Sequence, residues 1–114
     1  MAREKFQTLT EQMFYVLLCL REECCGMDLM ERIRLLTSGR VSVGPGTLYN
    51  LLEQFAAEGY KCEGRRRSYV LTEKGEERLH GEMDRLTAQM NDYQRLLKGG
   101  DKPCELTDGT RSGN

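Results

Sequence analysis

The chain has 114 residues, 31% of them charged, and a formal net charge of -1. That length suits one small domain with a terminal extension and leaves no room for a two-domain enzyme. The longest apolar run, Met13 to Leu20, contains Tyr15 and Cys19 and is too short to cross a bilayer. No basic-then-apolar leader is read at the start, so the expectation is a cytoplasmic protein with no membrane partner.

Met1 to Leu9 are polar apart from Phe6 and Leu9. Thr10, followed by Glu11 and Gln12, is a candidate N-cap for a first helix. Met13, Phe14, Val16, Leu17, Leu18 and Leu20 give that helix a wide apolar face, with Gly26 as the expected break after it. A second helix starts near Met27, with Leu29, Met30, Ile33 and Leu36 at helical spacing, and the turn residues Thr37, Ser38 and Gly39 end it. A third helix follows, with Ser42 as its expected cap and Pro45 in the first turn, where no amide donor is needed. Leu48, Leu51, Leu52 and Phe55 form its apolar stripe, while Thr47, Tyr49, Asn50, Glu53 and Gln54 point elsewhere. Gly59 is the expected stop.

The period then changes. Tyr60 to Cys62, a Glu63-Gly64 turn and Arg65 to Leu71 read as a short hairpin. From Tyr60 to Thr72, Lys61, Arg65, Arg66 and Arg67 stand against Glu63 alone, a local charge of +3 within a chain that is close to neutral. Strand alternation would send the three arginines to opposite faces, so one or two of them are expected to reach phosphate. Thr72 is the expected cap of a last helix, with Glu73 and Glu76 near its positive end. In that helix Leu79, Met83, Leu86, Met90, Tyr93 and Leu97 step by four and three, a heptad seam. A helix of roughly 25 residues would run to roughly 38 Å, so its outer half calls for a second copy of the chain as its cover. From Gly99 onward Gly, Asp, Lys, Ser and Thr dominate, the composition of a disordered tail. The expected organisation is residues 1–72 as a DNA-binding domain, 73–98 as a dimerisation helix and 99–114 as the tail.

Two helices joined by a short turn, the second with a polar outer face, followed by a basic hairpin, is the winged helix-turn-helix plan. The fold expected is mainly α, a winged helix-turn-helix with a two-stranded wing and a long C-terminal dimerisation helix. In that plan the third helix presents polar side chains to base edges in the major groove, and the hairpin places cations on nearby phosphates.

The stretch Ser38 to Gly59, with GPGTLY at Gly44–Tyr49, Leu51-Leu52 and Glu58-Gly59, resembles the PadR family of bacterial transcriptional regulators. Arg65-Arg66-Arg67-Ser68-Tyr69 and Leu71-Thr72-Glu73-Lys74-Gly75 add to the likeness, which covers Thr10 to Leu97 and points to the smaller subfamily with one C-terminal helix. The resemblance implies a homodimeric repressor that binds a palindromic operator in double-stranded DNA and is released by a small lipophilic or phenolic effector. It places DNA contacts at Ser42, Thr47, Tyr49 and Asn50 and on the wing at Arg65, Arg66 and Arg67. It also agrees with the dimer seam Leu79, Met83, Leu86, Met90, Tyr93 and Leu97. The sequence departs from the family pattern between Tyr60 and Arg65, where the wing is short, and at Cys25-Gly26-Met27, where the family has a His-Gly-Tyr-like step.

Several features carry second readings. Met83, Met90 and Tyr93 are dimer core or, since methionines repack around varied partners, part of an effector pocket with Phe14 and Tyr15. Cys19, Cys24, Cys25, Cys62 and Cys104 are odd in number and lack a metal or disulfide spacing, so reduced and inert thiols are expected. A sensor built from Cys24, Cys25 and Cys62 is the alternative. His80, the lone histidine, is expected to be solvated. No nucleophile-base pair, metal cluster or phosphate loop is read, and neither enzyme activity nor a cofactor is expected. The weak overall basicity leaves a protein-interaction module open beside the DNA-binding reading.

Overall fold

The computed structural model describes residues 8–64 and 67–98. The element order is α1 (Glu11–Cys19), β1 (Cys24–Cys25), α2 (Gly26–Leu36), α3 (Pro45–Glu58), β2 (Lys61–Glu63), β3 (Ser68–Leu71) and α4 (Glu73–Lys98). Two compact units divide at α4, one running through Met83 and the other starting at Asp84.

Local chemistry sets the boundaries. The Thr10 hydroxyl accepts from the Met13 amide at 3.2 Å and caps α1. The helix ends earlier than Gly26, at Cys19. Its last turn lacks a basic residue of its own, and Arg32 of α2 supplies one, donating from Nη1 to the Cys19 and Glu22 carbonyls at 3.4 Å. Gly26 is therefore not a break after α1 but the first residue of α2. That helix closes at Thr37, and Ser38 and Gly39 follow with φ of 55° and 79°. Thr37 is buried and ties the turn together. Its hydroxyl lies 2.9 Å from the Ile33 carbonyl, to which it donates, and it accepts from the Val41 amide at 3.0 Å.

At α3 the cap is Gly44, not Ser42. Pro45 takes the first helical position and forces the residue before it into extended backbone, so the boundary sits two residues later than a hydroxyl cap would put it. Gly59 ends α3 in the left-handed region at φ 82°. At the next helix Thr72 serves twice, accepting from the Gly75 amide at 3.0 Å and donating to the Gly59 carbonyl at 2.6 Å. It thereby joins the stop of α3 to the start of α4.

The sheet has three antiparallel strands in the order β1-β3-β2, not the two expected. Cys24 pairs with Tyr69 and Cys25 with Ser68, while Lys61, Cys62 and Glu63 pair with Leu71, Val70 and Tyr69. A two-residue strand has no periodicity to detect; it forms because it satisfies the otherwise open edge of β3. The core is one cluster from all the helices of the first unit: Val16, Leu17 and Leu20 of α1, Leu29 and Ile33 of α2, Leu48, Leu51, Leu52 and Phe55 of α3, and Leu79 of α4. Arg21, just past the end of α1, pairs with Glu76 of α4 at 3.1 Å.

Gly75, Leu79 and Glu82 are the buried positions of α4. Leu79 is only 4% exposed, so the sequence-expected seam loses its first member to the chain's own core. Met83, Met90, Tyr93, Leu96 and Leu97 are exposed, and Leu86 is half-buried. The expected tail from Gly99 lies outside the described residues, as does Cys104. Among the described residues no helix is long and apolar enough to cross a membrane.

Candidate nucleic-acid interface

The buried stripe of α3 fixes what its opposite face presents. With Leu48, Leu51, Leu52 and Phe55 turned into the core, Gly46, Asn50 and Glu53 recur at spacings of four and three on the outward side, with Tyr49 beside them. All four are exposed, as is Thr47. The other wall of this face comes from the hairpin. In a strand pair, residues two apart share a face, so Lys61 and Glu63 of β2 look the same way as Tyr69, the partner of Glu63 across the ladder. Gly46, Tyr49, Asn50, Glu53, Ala56, Lys61, Glu63 and Tyr69 together line an open groove of about 430 Å3.

The groove is ordered by aromatic packing. The Lys61 ammonium sits 4.5 Å from the centre of the Tyr69 ring, and Lys61 as a whole is 8% exposed. Its charge is thus committed to a π face rather than held out in solvent. Burial, then the neighbouring Tyr49 phenol and Glu63 carboxylate, push the Tyr69 phenol above its ordinary range, with Arg67 acting in the opposite sense. At neutral pH Tyr69 therefore keeps its proton and is a hydrogen-bond donor. Tyr49 lies across the groove with its hydroxyl against Gly26. A Cβ on Gly26 would stand 2.4 Å from that hydroxyl, so the absence of a side chain at the start of α2 makes room for the Tyr49 ring.

The wing turn is built on close approach. The Gly64 amide donates to the Ser68 carbonyl at 2.9 Å, and the Ser68 hydroxyl donates to the Glu23 carboxylate just before β1. A Cβ on Gly64 would collide with that same carboxylate. Arg67 is exposed and holds φ 60°, in the turn rather than in a strand. The expectation that strand alternation orients it therefore fails, because the bend, not the pleat, aims this side chain. Arg65 and Arg66 lie outside the described residues.

Of the other expected contacts, Tyr49 and Asn50 meet in the groove, and Thr47 stands on α3 outside its lining. Ser42 is exposed ahead of α3, where its carbonyl accepts from Gln12 Nε2 at 3.3 Å. Sequence reasoning missed Lys61, Glu63 and Tyr69 as groove residues. Period-two alternation puts 61 and 63 together, but the register that adds Tyr69 depends on the turn. It also missed Glu53, whose spacing from Gly46 and Asn50 was there to read. For the expected effector residues, Phe14 and Tyr15 meet edge to face at 5.2 Å and Tyr15 accepts from Arg40 Nη2 at 3.1 Å, while Met90 and Tyr93 are exposed in the second unit. His80 is exposed and lies 3.5 Å from Glu76. The thiols of Cys19 and Cys24 are pushed up by burial, partly offset by the Arg32 guanidinium.

The profile of the transcriptional regulator PadR-like family matches residues 16–81, more than half the chain and all of the helix-turn-helix and wing. The chain belongs to this PadR-like family. Its fold is shared with solved structures. A transcriptional regulator from Clostridium thermocellum superposes with a TM-score of 0.64 at 18% identity, over 73% of this chain and 89% of that one. The protein smu.1704 of Streptococcus mutans superposes with a TM-score of 0.58 at 20% identity, over 87% of this chain and 99% of that one. No curated protein matches the chain in sequence. Two segments inside the PadR-like match, GPGTLY and LTEKG, have visible structural roles in this chain. The first sets the capped entry to α3 and the Tyr49 that rests on Gly26; the second packs α4 against the stop of α3.

Proposed function

We propose that this PadR-like chain is a sequence-specific DNA-binding repressor, acting in the cytoplasm as a homodimer on a palindromic operator. The observation that carries this reading is the outward face of α3, solvent-exposed at Thr47, Tyr49 and Asn50 and flanked by the wing turn that holds Arg67. In the proposal α3 enters the major groove and the wing arginines Arg65, Arg66 and Arg67 hold the backbone, with Ser42 at the entry to the helix. The exposed apolar positions of α4, from Met83 through Met90, Tyr93 and Leu97, are covered by the second protomer, which sets the spacing of the half-sites. A small lipophilic or phenolic effector bound among Phe14, Tyr15, Met90 and Tyr93 would favour a dimer with altered spacing and so release the operator.

The test is a fluorescence-anisotropy titration with DNA from upstream of the protein's own gene, a scrambled duplex of equal length, and a series of salt concentrations. Selective binding with a steep salt slope is expected, and Arg67→Ala should flatten that slope by about two units for the dimer, one from each protomer, if Arg67 holds a phosphate. A second reading, a protein-interaction module, is favoured by one feature: α3 carries Glu53 and Glu58 and not a single lysine or arginine. Equal, weak and salt-insensitive binding to both duplexes would sustain that reading and overturn the repressor.

A further inference from the structure

The chemistry of α3 narrows what it can read. Its sequence, PGTLYNLLEQFAAE, has no cation, so the commonest specific contact in the major groove, arginine or lysine on guanine O6 and N7, is not available from this helix. The centre of its outward face is instead Asn50 followed three residues later by Glu53, both exposed and both lining the groove beside the wing. The Glu53 carboxylate makes no side-chain hydrogen bond or ion pair among the described residues. The cation that lines the groove with it, Lys61, is held on Tyr69. An exposed carboxylate pressed toward DNA meets the negative potential of the phosphates, and what offsets that cost is a hydrogen bond accepted from a base amino group. In the major groove those donors are the amino groups of cytosine N4 and adenine N6, and a carboxylate, which can only accept, matches cytosine.

We propose that Glu53 is a specificity-determining residue that selects a cytosine in the operator half-site, next to an adenine read by Asn50. The assignment rests on the DNA-binding reading above. Three residues of helix advance by about 4.5 Å, close to the ~3.4 Å step between base pairs, so the two side chains fall on neighbouring pairs. Asn50 supplies the donor and acceptor that match adenine N7 and N6, and Glu53 the acceptor that matches cytosine N4. Affinity comes from the wing, whereas α3 contributes discrimination.

The experiment is in vitro selection of the full chain on a randomised duplex pool, run in parallel for wild type, Glu53→Gln and Glu53→Ala. All three are checked for equal thermal melts, as expected for an exposed position. Wild type is expected to enrich cytosine at one half-site position by about tenfold over the other bases. Glu53→Gln should turn that position toward adenine, because the amide now donates as well as accepts, and Glu53→Ala should lose the preference there while leaving neighbouring positions intact. An unchanged base profile in both variants overturns the assignment. So does a uniform gain in affinity for every sequence with Glu53→Ala, which would mean that Glu53 only repels phosphate. If wild type enriches no sequence at all, the DNA-binding reading falls and this inference with it. The wild-type arm thus tests the function and the variant arms test Glu53.

Discussion

Gly75 lies in the first turn of α4, against Tyr60 just past the end of α3. A Cβ built there would stand 2.2 Å from the Tyr60 carbonyl oxygen and 2.6 Å from Leu71 Cδ1. Leu71 could turn aside, but Tyr60 could not. Its amide donates to the Phe55 carbonyl at 2.8 Å and its carbonyl accepts from the Thr72 amide at 2.9 Å, so the oxygen is held from both sides. Ordinary contact begins near 3.4 Å, which means that Gly75→Ala must drive the first turn of α4 away by about 1 Å. Overpacking of this kind costs about 1–3 kcal/mol, set against a helix-propensity gain for alanine of about 0.5–1 kcal/mol. A net loss of about 1 kcal/mol lowers Tm by about 4–8 °C in a domain of this size. Gly81 supplies the control on the same helix. Nothing lies within 4 Å of a Cβ there, so Gly81→Ala gains the propensity alone and should raise Tm by roughly 2–8 °C. Both are measured by circular dichroism melts at one protein concentration, since association would couple Tm to concentration. A Gly75→Ala protein that melts at or above wild type, with Gly81→Ala raised as expected, would refute the close-approach argument.

Two further predictions concern the core of the helix-turn-helix and the thiols. Thr37→Val keeps the shape but leaves the Val41 amide without its acceptor, and should cost about 1–3 kcal/mol in urea unfolding; Thr37→Ser, which retains the hydroxyl, should recover most of that loss, and equal stability of all three would mean that the turn is held by other contacts. A raised thiol pKa leaves less thiolate at any given pH, so at pH 8 iodoacetamide should label the exposed Cys62 well before Cys19 and Cys24, whose thiols burial pushes up. Peptide mass spectrometry reads the order, and labelling of all three at one rate in the absence of denaturant would contradict the packing around α1 and β1.

Much of this protein was legible in its sequence because the informative interactions are local. The Thr10 cap, the Leu48–Phe55 stripe, the Gly59 stop and the Thr72 cap each depend on residues within a turn or two of one another, and each appears where residue type and spacing put it. The GPGTLY and LTEKG signatures gave the family for the same reason. Tertiary structure decided everything that depends on residues far apart in the chain. It made Cys24–Cys25 a strand by offering the open edge of β3, and it gave Leu79 to the core of its own domain rather than to a seam. It set Tyr49 against Gly26 and Lys61 on Tyr69, and so turned a polar helix face into one wall of a groove. Periodicity tells which side of a helix is buried, because burial follows from a single chain's pattern of apolar residues. It does not tell what stands opposite the polar side, because that is fixed by strand register and by the approach of backbones that share no local sequence.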